Sequence, residues 1–250
     1  MLLRRLYTNL KSQNWLTVGI ELLVVAVGIF MGLQASNWND DRVERALERG
    51  YLVRLHEDIL ASSRGLERDN GLLEEQLSDQ AIILAALDAC EFSPDDKMAI
   101  QRGINALGGL NPPRLFRRTI DDLAASGRMD IIQNAQIKTK LAELVEEVEF
   151  RDRVTESIFR IVEHHRQVIE GQVRYDVSKP LGGHSWLVAV DFDIQKLCDE
   201  SKNAAAVSAI SFQTRDRLIA YGQLLDRYRN FLPLIENELQ SRWDYIVGGG

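Results

Sequence analysis

Thiols are scarce in this chain: Cys90 and Cys198 are the only two cysteines in 250 residues. Two thiols so far apart rule out a disulfide scaffold or a cysteine-based zinc site. They leave open a single bridge, if the chain faces an oxidising compartment, or two buried free thiols. Positive charge is also short, with 30 Lys and Arg against 37 Asp and Glu. The first 37 residues hold Arg4, Arg5, Lys11 and Glu21, so the remainder carries an excess of nine acids. Nucleic-acid binding needs a basic surface that displaces counterions, and this balance excludes it.

Catalytic and cofactor signatures are missing as well. The helical di-iron pattern Glu-x-x-His does not occur, because Val53, Ile161, Val162 and Leu181 precede the four histidines by three. There is no His-Glu-x-x-His, phosphate loop or Gly-x-Ser-x-Gly. His164 and His165 are adjacent, so on a helix they point about 100° apart and read as a polar flank. No metal and no cofactor is expected. With 45% hydrophobic and 27% charged residues, the composition is that of a folded protein able to bury a core.

One feature stands out. Leu16 to Leu33 carries one ionisable side chain, Glu21, and is flanked by Trp15 and Trp38. On a helix those indoles lie roughly 35 Å apart, close to the hydrocarbon core of a bilayer plus its interfaces. Tryptophan favours that boundary because its ring is apolar and its N–H seeks water. The segment predicts a transmembrane helix over 15–37. A cleaved signal peptide fits less well, because the apolar stretch is long and Leu33-Gln34-Ala35 is a poor cleavage site. Residues 1–14 place Leu3, Leu6 and Leu10 on one helical face, with Arg4, Arg5 and Lys11 off it. That pattern suits a short interfacial helix with its cations toward anionic lipid. Arg42, Arg45, Arg49 and Arg54 follow the segment closely, so basic residues barely decide orientation. A short basic tail inside and a large acidic domain outside is the expected arrangement: a bacterial inner-membrane protein with a cytoplasmic N-terminus and a periplasmic domain.

Within the membrane segment, Gly28 and Gly32 fall about 20° to either side of Glu21 on the helical wheel. Thr17 and Ala35 share this stripe, and Leu23, Ile29 and Phe30 face the other way. Gly-x-x-x-Gly lets two helix backbones approach closely. Glu21 lies about 9 Å inside the Trp15 boundary, where a carboxylate is expensive unless protonated, paired or turned toward protein. Thr17, Glu21, Gly28, Gly32 and Ala35 are therefore the expected helix–helix interface. Alternatively, Glu21 snorkels to headgroups near Arg4 and Arg5.

Residues 38–247 read as one helical domain. Leu52, Leu55, Ile59, Leu66 and Leu73 recur with helical period, so the membrane helix is expected to continue outward as far as Cys90. Gly50, Gly65 and Gly71 are its expected soft points. Ser93-Pro94-Asp95-Asp96 starts another helix, with a serine cap, proline in the first turn and acids at the dipole's positive end. It stops at Gly108-Gly109, and Asn111-Pro112-Pro113 forms a loop. Thr119 to Asp122 opens a helix that Gly127 ends. Long helices are expected over about 135–171, with Leu141, Leu144, Val145, Val148, Val154, Ile158 and Ile161 inward, and over about 204–243. The latter repeats leucine every seventh residue from Leu218 to Leu239, and Pro233 should kink it. Residues 176–202 read as an irregular loop with Trp186 packed inward, and Gly248 to Gly250 as a tail. The expected fold class is all-α, an N-terminal transmembrane helix continuing into a long-helix antiparallel bundle.

The run Gly19 to Ile29, then Gln34 and Asn37-Trp38-Asn39, resembles the anchor of a bacterial single-pass membrane family of unknown function. That anchor has the form Glu-x-x-Leu-Val-x-x-Gly-Ile, then a glutamine and Asn-Trp-Asn. A second likeness joins Leu123, Ser126-Gly127, Ile132 and Asn134 to the family's Leu-x-x-Ser-Gly-x-x-x-x-Ile-x-Asn turn. Phe30-Met31-Gly32 departs from the alanine and larger aliphatics more usual there, so the glycine pair is not carried by the resemblance. The resemblance implies a membrane anchor and brings no activity with it.

These features suggest a non-enzymatic, membrane-anchored interaction or sensing module that self-associates through its transmembrane helix. The partners expected are the lipid bilayer and a second copy or another membrane protein. A second reading is an accessory subunit of a larger complex, with Glu21 paired to a partner's cation. A third is a hydrolase using His184, Asp191 and Asp193 of the 176–202 stretch.

Overall fold

The structure, a computed structural model, describes residues 15–109, 117–181 and 184–244, without the side chains of 15–19, 21 and 184–186. The interfacial segment 1–14, the Asn111–Pro113 loop and the glycine tail lie outside the described residues. Helices dominate: α1 Trp15–Ala89, α2 Lys97–Ala106, α3 Arg118–Ala125, α4 Ala135–Glu170, α5 Ile194–Asp199 and α6 Ser201–Trp243. Strands β1 Arg174–Leu181 and β2 His184–Asp191 form a two-stranded sheet. The chain divides into two units, residues 1–51 and 52–250.

In the first unit α1 is helical from Trp15 and presents its apolar side chains outward. Leu22, Phe30 and Met31 are 73%, 62% and 67% exposed. This stretch is long and apolar enough to cross a membrane, and none of its apolar window is buried. A core helix of a globular domain would bury most of such a window.

The second unit is a bundle-like packing of long helices. Leu52, Leu55, Ile59, Leu66 and Leu73 of α1 are all buried, as their spacing predicted. Gly50, Gly65 and Gly71 all lie inside unbroken helix. Cross-helix hydrogen bonds fix the directions. His56 pairs with Glu236, Arg229 donates to Glu67, and Gln80 donates to Thr214, so α6 runs antiparallel to α1. Asn134 donates to Glu238 and Arg151 to Gln223, so α6 is antiparallel to α4 as well. α6 continues through Pro233 as one helix.

Helix ends follow from local chemistry. Ser93 accepts the Asp95 amide and opens a 3-10 turn that leads into α2. Gly108 and Gly127 adopt left-handed φ of 80° and 65° just beyond α2 and α3, a conformation that penalises a Cβ. Asn134 caps α4 by accepting the Gln136 and Ile137 amides. α3 has no side-chain cap of its own. Asp58 of α1 serves instead, accepting the Thr119 amide at 3.0 Å.

One expectation needs correcting. Residues 176–202 are not an irregular loop: they hold most of an antiparallel hairpin, then α5 and the start of α6. The described residues are thus mostly all-α, with one small two-stranded sheet. Pairing runs in register from Arg174↔Asp191 to Asp176↔Ala189 and then shifts before Pro180↔Val188. Proline has no N–H for the ladder, which makes β1 read poorly as a strand and accounts for an irregularity at that point. On α6, the heptad leucines do not define the buried face. Leu225 and Leu239 are buried and Leu218 and Leu232 only partly so, while Thr214, Arg217, Tyr221 and Tyr228 fill the inward stripe.

Candidate functional sites

On the apolar stretch of α1, Gly28 and Gly32 sit on a surface where an added Cβ would meet nothing within 4 Å. Ala35 is exposed and Trp38 is 63% exposed. Thr17 and Glu21 lie on the same unbroken helix, which keeps the period that aligns them with the glycines. The side chains of Trp15, Thr17 and Glu21, and all of Arg4, Arg5 and Lys11, are outside the description.

The hairpin end of the second unit was the expected place for hydrolytic chemistry. Here Asp193 is the N-cap of α5, accepting the Gln195 and Lys196 amides, and Asp191 pairs in register with Arg174. Asp193 thus has a structural task. Asp176 is held down near pH 2, first by its hydrogen bond to Lys179 and then by Ser178. The side chains of His184 and Trp186 are outside the description.

What organises this end is α2, wedged between α1 and the hairpin. Arg102 grips Asp79 with two hydrogen bonds, at 2.6 and 2.5 Å, and reaches Glu75 at 3.2 Å. Asp79 is buried, so this fork compensates a carboxylate that water cannot reach. Gly103, the next residue, lets the helices close: a Cβ there would meet Ile83 Cδ1 at 2.7 Å. On its other side α2 covers the outer edge of β2. Asn105 donates to the Val188 carbonyl and accepts the Val188 amide, while Gln101 donates to the Val190 carbonyl. Alternate residues of a strand share an edge, and residues four apart share a helix face, so two amides replace a third strand. The sequence signal was only Gln101 and Asn105 at that spacing, beside a glycine.

Between α4 and α6 lies a groove of about 260 Å³ whose walls include Phe150, Thr155, Arg217 and Tyr221. Arg217 is 3% exposed and donates from Nη2 to the Gly109 carbonyl at 3.2 Å. Burial lowers its pKa, opposed by the nearby Tyr221 and Asp69. Its Nε and Nη1 have no hydrogen-bond partner and are sealed from solvent, so an anion resting in the groove does not reach them. Burial pushes the Tyr221 phenol up to about 12, although Thr155 hydrogen-bonds to it. The Tyr228 hydroxyl is buried without a partner, and burial raises its pKa too. Arg151 pairs with Glu147 at 2.5 Å in a half-buried site. Among the described residues, no group of three or more His, Cys, Asp or Glu side chains is placed to hold a metal.

The geometry thus defines a class: a mostly helical protein with, among the described residues, one helix long and apolar enough to cross a membrane. No family model, curated protein or solved structure matches the chain.

Proposed function

We propose that the chain is a single-pass, membrane-anchored helical module, non-enzymatic, which binds a partner or senses a condition and self-associates through its transmembrane helix. The observation that carries this reading is α1 itself. One helix joins an outward-facing apolar segment, with an unobstructed Gly28–Gly32 stripe, to the bundle-like unit that begins at Leu52. A helix–helix interface along that stripe would shelter Glu21 from lipid. In the same reading the N-terminus is cytoplasmic and the antiparallel helical domain periplasmic. The likeness of its anchor to the bacterial family described above points the same way.

The test is the mass of the intact chain in mild detergent, for wild type, Gly32→Ile and Glu21→Gln. Self-association predicts a defined wild-type oligomer that falls to monomer in Gly32→Ile, because an isoleucine side chain would hold the backbones apart. A monomeric wild type removes that reading. It would favour the accessory-subunit alternative, in which Glu21→Gln releases a partner from the native membrane.

A further inference from the structure

Cys90 and Cys198 are far apart in sequence, yet the fold brings them together. Cys90 Sγ donates to the Leu87 carbonyl at 3.8 Å, and Cys198 Sγ to the Ala86 carbonyl at 3.9 Å. Both thiols therefore sit over consecutive carbonyls in the last turn of α1, which makes them neighbours. The short α5 that carries Cys198 is held in place independently. Gln195 donates to the Cys90 carbonyl at 2.7 Å, and Phe92 stacks on Phe192 with ring centroids 5.5 Å apart. Both thiols are free and partly buried.

Cys90 has a second peculiarity. Its φ is +53°, the left-handed conformation that ends many helices and that strongly favours glycine. A cysteine tolerated at a glycine position suggests that its side chain has a task, because the backbone gains nothing from it.

We propose that Cys90 and Cys198 form a reversible intramolecular disulfide that ties α5, and the hairpin before it, to the end of α1. The oxidant is a disulfide of the glutathione type. The Cys90 thiolate attacks one sulfur of the oxidant, forming a mixed disulfide and releasing one reduced thiol. The Cys198 thiolate then attacks Cys90 Sγ, closing the intramolecular S–S bond and releasing the second. Two protein thiols lose two electrons and two protons, and the oxidant gains both pairs. Burial and the adjoining Cys90 push the Cys198 thiol up to about 11, so it is a poor first attacker and serves as the resolving thiol. The bridge is independent of the membrane reading, since every group in it lies in the second unit.

The test equilibrates the full chain in detergent with graded ratios of reduced to oxidised glutathione, in native buffer and in concentrated urea. Alkylation and intact mass then count the thiols. Preorganisation predicts that both thiols disappear together from a monomer that has lost two hydrogens. It also predicts that the bridge forms about 100-fold more favourably in the folded chain than in urea. The oxidised chain should melt roughly 5–10 °C higher than the reduced one. Cys198→Ser should carry one glutathione on Cys90. Cys90→Gly, which suits the left-handed backbone, should fold normally and form no bridge. Two separate glutathione adducts, a bridge between chains, or the same midpoint in buffer and urea would each overturn the proposal.

Discussion

Gly103 shows how a single missing Cβ sets an interhelical distance. On the exposed face of an isolated helix, glycine-to-alanine gains up to about 1 kcal/mol in helix propensity. Here the new methyl would press on Ile83 Cδ1 at 2.7 Å and Asp79 Cβ at 3.1 Å, beside the carboxylate that Arg102 holds. Overpacking of this kind costs about 1–3 kcal/mol, so it outweighs the gain. Gly103→Ala is expected to destabilise the full chain by about 1 kcal/mol, read as a lower urea midpoint at unchanged slope. A midpoint that rises would mean that α2 moves away at no cost. The sequence showed a glycine in a helix but not its neighbour. The α1 leucines were legible because apolar spacing alone selects their face. Arg217, Tyr221 and Tyr228 were not, because their burial depends on how α4 and α6 meet.

At the scale of elements, helix ends were readable wherever the cap lay nearby, as at Ser93, Gly108 and Gly127. The start of α3 shows the limit: its cap, Asp58, comes from a different helix. The hairpin was missed for a related reason. Pro180 and Gly182-Gly183 look like loop punctuation, and β2 gains its outer-edge partners from α2 rather than from a strand. Asn105 is the centre of that substitution. Asn105→Ala leaves the Val188 amide and carbonyl without their partner, a loss of about 1–2 kcal/mol locally. Hydrogen exchange at the Val188 amide should then accelerate roughly tenfold, while amides in the middle of α1 keep their protection. Unchanged exchange at Val188 would show that the hairpin holds without α2.

For the whole molecule, the sequence separated an apolar segment from a charged helical domain between residues 37 and 38, while the two structural units divide between Tyr51 and Leu52, so the charged residues from Asp40 to Arg49 fall in the first unit. What the candidate interface does was not legible. A glycine stripe and one carboxylate would suit a close helix partner without naming it. The central claim is that the first unit inserts in a bilayer, and alkaline carbonate extraction of membranes containing the full chain tests it most directly. An inserted helix with apolar side chains on every side should stay in the membrane pellet, because stripping peripheral ionic contacts does not expose it to water. Release of the chain into the supernatant would contradict the anchor and, with it, the function proposed for the helix.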